Sequence, residues 1–379
     1  MIQDFTEYKK VVGNELIAKI FKKARYIYGR HIVNINSTYF GGGVAQMLTS
    51  LILALNDVGI DIGWRILYGT PDFFGVTKKF HNALQGDNIH LTPIKKKIYT
   101  EGSAYFSVYT HLKHDAVIIH DPQPLPLIHC YKKEQPWIWR CHIDLSNPNK
   151  KLWDYLKTFL LRYDVIIVSH ENYIKKDLPI EQRIIYPAIN PLSSKNKTLS
   201  KNDIDKYLKK FEIPMDKPLI TQVSRFDKWK DPLRVMEVFT KVKKKIDCRL
   251  VLCGSMATDD PEGMEIYDKV SEAASEFDKN DIILITAEHD ILVNILQNVS
   301  KVVIQNSIKE GFGLVVSEAL WKGTPVVATN VGGIPLQVQD EKSGFLVDPE
   351  DVERMAKKVV YLLENEDKAK EMGKKEKNM

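Results

Sequence analysis

The chain has 379 residues, 44% of them hydrophobic, which is enough for two domains of ordinary size. Its net charge of +5 is a mild excess with no basic block interleaved with aromatics, so nucleic acid is not an expected partner. No apolar run approaches the ~20 residues that span a bilayer, the N-terminus lacks a signal-peptide pattern, and four cysteines without a CxxC pair suggest reduced thiols in the cytoplasm. In chain order, residues 6–29 read as one or two amphipathic helices, with Val11, Val12, Leu16, Ile17, Ile20 and Phe21 at helical spacing. A strand over 31–36, a polar turn at Ser37-Thr38, the run Gly41-Gly42-Gly43 and a helix over 44–58 then form a strand, glycine loop and helix unit, the usual opening of a Rossmann-like domain. The glycines lack GxGxxG spacing. The next strand, 63–68, ends in Gly69 where a dinucleotide site wants an acidic residue, so NAD is disfavoured.

Further strands are expected at 116–119, 137–140 and 165–168. Polar residues cluster where each stops: His120-Asp121-Pro122-Gln123, Cys141-His142-Ile143-Asp144 and Ser169-His170-Glu171. Ligands bind beyond the carboxyl ends of strands in an open parallel sheet. Three such ends carrying His, Asp and Gln suggest a polar pocket for a hydroxyl-rich small molecule. The ten histidines show no HExxH or comparable spacing, so no catalytic metal is expected.

Tyr186-Pro187-Ala188-Ile189-Asn190-Pro191 ends the first series of strands. The expected organisation is an N-terminal domain at 1–190, a linker at 191–215 and a second domain at 216–379. The second domain opens with a strand over 219–224. Arg225 sits at its end, Lys230 lies five residues on, and Asp231-Pro232 reads as an N-cap followed by proline at the first helical position. Two cations at a strand end beside a helix start suit a diphosphate, Arg as a fork and Lys as a point charge. Strands at 249–253, 282–285, 302–305, 325–328 and an edge strand at 343–347 alternate with helical patterns, the last of them over 349–363. Residues 368–377 read as a solvated basic tail. This alternation argues for α/β domains with parallel sheets.

The stretch Glu310-Gly311-Phe312-Gly313-Leu314-Val315-Val316-Ser317-Glu318 follows the strand at 302–305 and opens a helix. Its glycines let backbone come close to a ligand, and first-turn amides of the helix would face a phosphate. Glu310 would meet a sugar hydroxyl at the reacting end. Glu318, read as two turns inside the helix, would meet a ribose hydroxyl.

The second half resembles the nucleotide-sugar-binding domain of retaining GT-B glycosyltransferases, through Arg225 with Lys230 and through Glu310-x7-Glu318 with Gly311-Phe312-Gly313 between. The first half is more distinctive. Asn36-Ser37-Thr38-x-Phe40-Gly41-Gly42-Gly43, Phe80-His81-Asn82-Ala83-Leu84-Gln85-Gly86, His120-Asp121-Pro122-Gln123-Pro124 and Trp139-Arg140-Cys141-His142-Ile143-Asp144-Leu145-Ser146 resemble the trehalose-synthesising glycosyltransferases over nearly the whole chain. That resemblance implies a GT-B fold, two Rossmann-like domains facing each other across a cleft. It departs at two points: the family has Lys-Gly where this chain has Lys230-Asp231, and it continues past the position of Gly373 into a last crossover helix that the sequence is expected to lack.

The implied reaction is transfer of glucose from a nucleoside diphosphate glucose to glucose, with retention, giving trehalose. The leaving phosphate would help to take the acceptor's proton. Glu310, His142, Arg225 and Lys230 would be the catalytic residues. Gly42, Gly43, Gly311, Phe312, Gly313, Leu314, Val315 and Glu318 would bind the donor, and Thr38, Asp121, Gln123 and Asp144 the acceptor. No cofactor or metal is expected, and no membrane partner; a homodimer is open. A trehalose phosphorylase of the same fold, a related transferase with a lipid or protein acceptor, and a non-catalytic sugar-nucleotide-binding protein are the alternatives.

Overall fold

The computed structural model describes residues 4–40, 42–254, 262–286 and 289–376. Gly41 of the glycine run lies outside them, as does any helix beyond residue 376. Two compact units divide the chain, Met1–Pro187 and Ala188–Ala257 with Glu262–Met379.

In the first unit a 3-10 turn leads into α1 (Lys9–Ala24), which kinks at Gly13. Ile17 and Ala24 pack with Phe5, Val58 and Ile60, while Val11, Val12 and Leu16 stay exposed. There follow β1 (His31–Asn36), α2 (Gly43–Asp57), β2 (Asp61–Ile66), α3 (Pro71–Leu84), α4 (Pro93–Tyr109), β3 (Ala116–His120), β4 (Trp137–Arg140), α5 (Lys150–Leu160), β5 (Val165–Val168) and β6 (Glu181–Ile184). Thr70-Pro71 and Thr92-Pro93 start α3 and α4 by one device: each threonine accepts an N–H from the first turn, and proline takes a position whose N–H has no helical partner. The six strands are parallel, in the order β2-β1-β3-β4-β5-β6. Trp137 and Trp139 of β4 are fully buried in the core between sheet and helices.

The second unit contains α6 (Lys201–Lys210), β7 (Leu219–Val223), α7 (Pro232–Lys243), β8 (Arg249–Cys253), α8 (Gly263–Ala274), β9 (Ile282–Ile285), α9 (Asp290–Val299), β10 (Val302–Gln305), α10 (Leu314–Trp321), β11 (Val326–Thr329), β12 (Gly344–Val347), α11 (Val352–Glu364) and α12 (Glu366–Glu376). Its parallel strands run β12-β11-β10-β7-β8-β9. Every residue of β7, β8, β10 and β11 is buried, as expected for a parallel sheet covered on both faces. The stretch 191–215, expected as a linker, belongs to this unit: Leu208 and Ile213 enter its core. The supposed solvated tail is corrected too. Residues 366–376 form α12, and Ala369 and Met372 bury against the core that holds α11, which a basic run in sequence conceals.

Strand order reverses direction at one place in each sheet, between β1 and β3 and between β7 and β10. In sheets of this kind ligands bind beyond the carboxyl ends of the strands at such a reversal.

Candidate active site

In the second unit the residues expected to bind a donor cluster at the switch point. Glu310 lies in the loop between β10 and α10 and is only 8% exposed. Three donors converge on its Oε2. The Gln305 amide and the Ser307 hydroxyl each lie 3.1 Å away, and the Lys230 ammonium forms an ion pair with the same oxygen. Gln305 also donates to Ser307 Oγ at 2.9 Å, and Thr329 of β11 holds the Ser307 carbonyl at 2.6 Å. The Lys230 side is fixed as firmly. The Gln222 amide, from β7, donates to the Lys230 carbonyl at 2.8 Å, and the Ile308 N–H donates to the Trp229 carbonyl at 2.8 Å. The cation and the carboxylate, assigned separately to diphosphate and sugar, therefore meet in one ion pair. Arg225 lies two residues past β7, with its guanidinium 3.8 Å from Asp227; that carboxylate also accepts the Trp229 N–H at 2.8 Å.

Asp231 adopts a left-handed conformation (φ 43°, ψ 58°) and caps α7 by accepting the Arg234 N–H at 3.4 Å. Glycine suits that conformation best, but aspartate is among the side chains that tolerate it. This is the physical reason that Lys230-Asp231 can replace a Lys-Gly pair.

Gly313 is the N-cap of α10, at φ 86° and ψ 60°. No side chain caps that helix, so the first-turn amides of Leu314 and Val315 suit an anionic ligand. Gly311 and Phe312 are packed from behind by the loop after β11, which carries Gly332 and Gly333. A Cβ on Gly333 would lie 2.7 Å from Phe312 Cα, and the Gln337 amide donates to the Phe312 carbonyl.

Glu318 lies one turn inside α10, not two, because the helix begins only at Leu314. It is buried and engaged: Lys195 Nζ lies 3.0 Å from one oxygen and the Gln297 amide 3.2 Å from the other. Lys322 Nζ contacts the Glu318 carbonyl at 3.2 Å and the side-chain oxygens of Gln297 and Asn196 at 2.9 Å each. Burial lowers the Lys322 ammonium to about 8 despite the nearby Glu318 charge.

In the first unit, β3 and β4 end side by side and bring their histidines into contact. The imidazoles stack, with centroids 5.2 Å apart and planes 11° from parallel, and His120 Nδ1 lies 2.9 Å from His142 Nε2. His120 Nε2 lies 3.0 Å from Asn34 Oδ1, on β1. Burial, with the Arg140 charge beside it, lowers His120 to about 3. His142 is driven well below its ordinary value by burial, then by His120 and Arg140. Both rings are neutral at pH 7. Asp121 takes a left-handed conformation (φ 61°), and its Oδ1 accepts the His142 N–H at 2.7 Å.

The other expected acceptor residues make local contacts. Thr38 Oγ1 donates to the Phe40 carbonyl at 2.8 Å, closing its own loop. Asp144 accepts the Ser146 N–H at 2.8 Å. Gln123 Oε1 is buried without a hydrogen-bond partner. Gly42 is the extended N-cap of α2, and Gly43 is the first residue of that helix instead of part of the loop. His170, one of the three strand-end histidines, caps the turn after β5. Among the described residues no group of three His, Cys, Asp or Glu side chains is arranged to hold a metal.

Reading the sequence missed Asn34, Gln222, Gln305, Ser307, Lys195, Gln297 and Gln337. Polar residues at the ends of otherwise apolar strands, as in β7 and β10, were the one available signal for Gln222 and Gln305.

A family model described as trehalose synthase, N-terminal domain, matches residues 34–175, and one described as glycosyl transferases group 1 matches residues 203–379. The trehalose synthase of Thermococcus litoralis is 47% identical over 373 residues, covering 97% of this chain and 90% of the relative. A trehalose phosphorylase of Pleurotus pulmonarius is 30% identical, over 94% of this chain and 55% of its own length. The solved α,α-trehalose 6-phosphate synthase of Burkholderia multivorans superimposes with a TM-score of 0.71 at 16% identity, over 92% of this chain and 94% of the other, which speaks for the fold alone. Near-full-length identity, two adjoining family matches and a doubly wound sheet in each unit establish that this chain belongs to the trehalose synthase family, as a glycosyltransferase of the GT-B fold.

Proposed function

We propose that the protein transfers glucose from a nucleoside diphosphate glucose to free glucose, with retention, forming trehalose. The observation that carries this reading is the Lys230–Glu310 ion pair at the switch point of the second sheet, beside the uncapped start of α10. Breaking the bond to a diphosphate leaves negative charge on the phosphate. Arg225, Lys230 and the helix amides supply positive charge there without rearranging at the moment of reaction. Glu310 compensates the half-buried Lys230 charge through their ion pair. On donor binding Lys230 turns to the diphosphate, and Glu310, still oriented by Gln305 and Ser307, takes a sugar hydroxyl.

The first unit supplies His142 and the acceptor residues Asp121, Gln123 and Asp144. A pocket lined with polar groups favours a hydroxyl-rich acceptor, because an analogue that lacks the hydroxyls leaves those groups unpaired. Relatives named trehalose synthase support trehalose as the product. The test is incubation with a panel of nucleotide sugars and glucose, with product identification. Nucleotide-dependent formation of a non-reducing disaccharide is expected. A reducing product, or hydrolysis unaffected by glucose, would refute the reading.

The phosphorylase relatives, 30% identical over nearly all of this chain, make a second reading concrete. Glucose 1-phosphate would then replace the nucleotide sugar, and activity would be independent of nucleotide. Positive charge from Arg225, Lys230 and the α10 amides also predicts that transfer persists in EDTA; loss that a divalent ion restores would overturn that part.

A further inference from the structure

The two stacked histidines form a chain that ends on Asn34, to which nothing above gives a role. Asn34 is 1% exposed on β1, between β2 and β3. A position in the middle of a parallel sheet normally takes an apolar side chain. Asn34 brings an amide there at a cost, since its Nδ2 has no hydrogen-bond partner. Its Oδ1 has one, His120 Nε2 at 3.0 Å.

The direction of each hydrogen bond follows from chemistry. An amide oxygen only accepts, so Nε2 of His120 carries a hydrogen. A neutral imidazole has one N–H, so Nδ1 of His120 is a lone pair. The 2.9 Å contact to His142 then needs its hydrogen from His142 Nε2. His142 is left with a lone pair on Nδ1. His120 is buried, and His142 is the partly exposed outer end of the chain. The Asp121 carboxylate fixes the His142 backbone from the other side.

We propose that Asn34 is a positioning residue: acting through His120, it holds His142 as the Nε2–H tautomer and presents Nδ1 as a hydrogen-bond acceptor to a sugar hydroxyl. The proposal rests on the function given above for the hydroxyl, and on the hydrogen-bond chain alone for the tautomer. The neighbouring Arg140 cation favours neutral rings and so favours a chain that carries one hydrogen per bond. Without Asn34 the same two rings could reverse both hydrogens, and His142 would then offer an N–H donor where an acceptor is needed.

The experiment uses the full chain with 15N-labelled histidine and long-range proton–nitrogen correlation at pH 7. His120 and His142 should both appear as neutral Nε2–H tautomers, assigned by loss of each signal in His120→Asn and His142→Asn. In Asn34→Leu the Nδ1–H form of His142 should appear, and kcat for transfer should fall roughly 10- to 100-fold with a smaller change in donor KM. Asn34→Asp, whose carboxylate also accepts from Nε2–H, should keep the parent tautomers and recover more activity than the leucine variant. A parent protein with His142 as Nδ1–H or as imidazolium would overturn the proposal. So would an Asn34→Leu protein with unchanged tautomers. Expected tautomers in a protein that transfers no glucose would instead overturn the functional reading and leave the hydrogen-bond chain supported.

Discussion

Mild acid should destabilise this protein through two histidines. His120 falls from the ordinary 6.5 to about 3 in the folded chain, and His142 also lies well below 6.5. The unfolded chain takes up a proton at each as pH drops through 6.5, and the folded chain does not. Stability is therefore present above pH 6.5 and lost as pH falls toward the folded values. Between pH 7 and pH 5 His120 costs about 2 kcal/mol, from about 1.4 kcal/mol per pH unit over the 1.5 units below 6.5, and His142 adds to the loss in the same direction. The perturbation is the double variant His120→Asn/His142→Asn, which removes both titrations from folded and unfolded chains alike. The assay is urea unfolding at pH 7, 6 and 5, followed by tryptophan fluorescence, with Trp137 and Trp139 in the same core as reporters. Carboxylates and the remaining histidines titrate in both proteins and cancel in the comparison. The parent should lose at least about 2 kcal/mol more than the variant over this range. Equal losses would show that the pair is not held neutral and would refute the reasoning.

Further outcomes follow from the second unit. Arg225→Ala and Lys230→Ala should each weaken nucleoside diphosphate binding by about 1.5–3 kcal/mol, the worth of a charge-assisted contact, and calorimetric titration showing parental affinity in both would remove the clamp. Glu310→Ala should abolish most transfer while nearly preserving diphosphate affinity. Glu318→Ala should weaken nucleotide binding and also unfold at lower temperature, since Lys195 loses its buried carboxylate partner at a cost of about 3–5 kcal/mol; an unchanged melting point would contradict the network. At Asp231, glycine should be tolerated within about 1 kcal/mol, because it regains conformational ease as it loses the cap. Valine, β-branched at φ 43°, should cost about 2–3 kcal/mol or more in chemical denaturation.

Much of the fold was legible because its signals are local. The strands of the second half read as mainly apolar runs, since a parallel sheet covered on both faces buries every residue of β7, β8, β10 and β11. Asp231-Pro232 announced α7, and Gly311-Phe312-Gly313 the turn into α10, because caps and left-handed positions accept few residue types. β6 was not legible: Glu181-Gln182-Arg183-Ile184 carries no apolar pattern, being an edge strand that pairs through backbone groups every sequence shares. α12 hid behind its lysines, with Ala369 and Met372 buried on a short face.

The sequence alone determined the fold class, most of the strands and the residue types gathered at the strand ends. Only the tertiary structure decided how those residues pair. Lys230 and Glu310 stand 80 positions apart, and no local pattern links them until β7 and β10 become neighbours. The chain Asn34–His120–His142 needs β1, β3 and β4 laid side by side in register. Secondary structure is dictated within a few residues by backbone sterics and apolar periodicity. Proton placement and charge compensation depend on angstrom-scale contacts between distant segments, and those exist only once the sheet has closed.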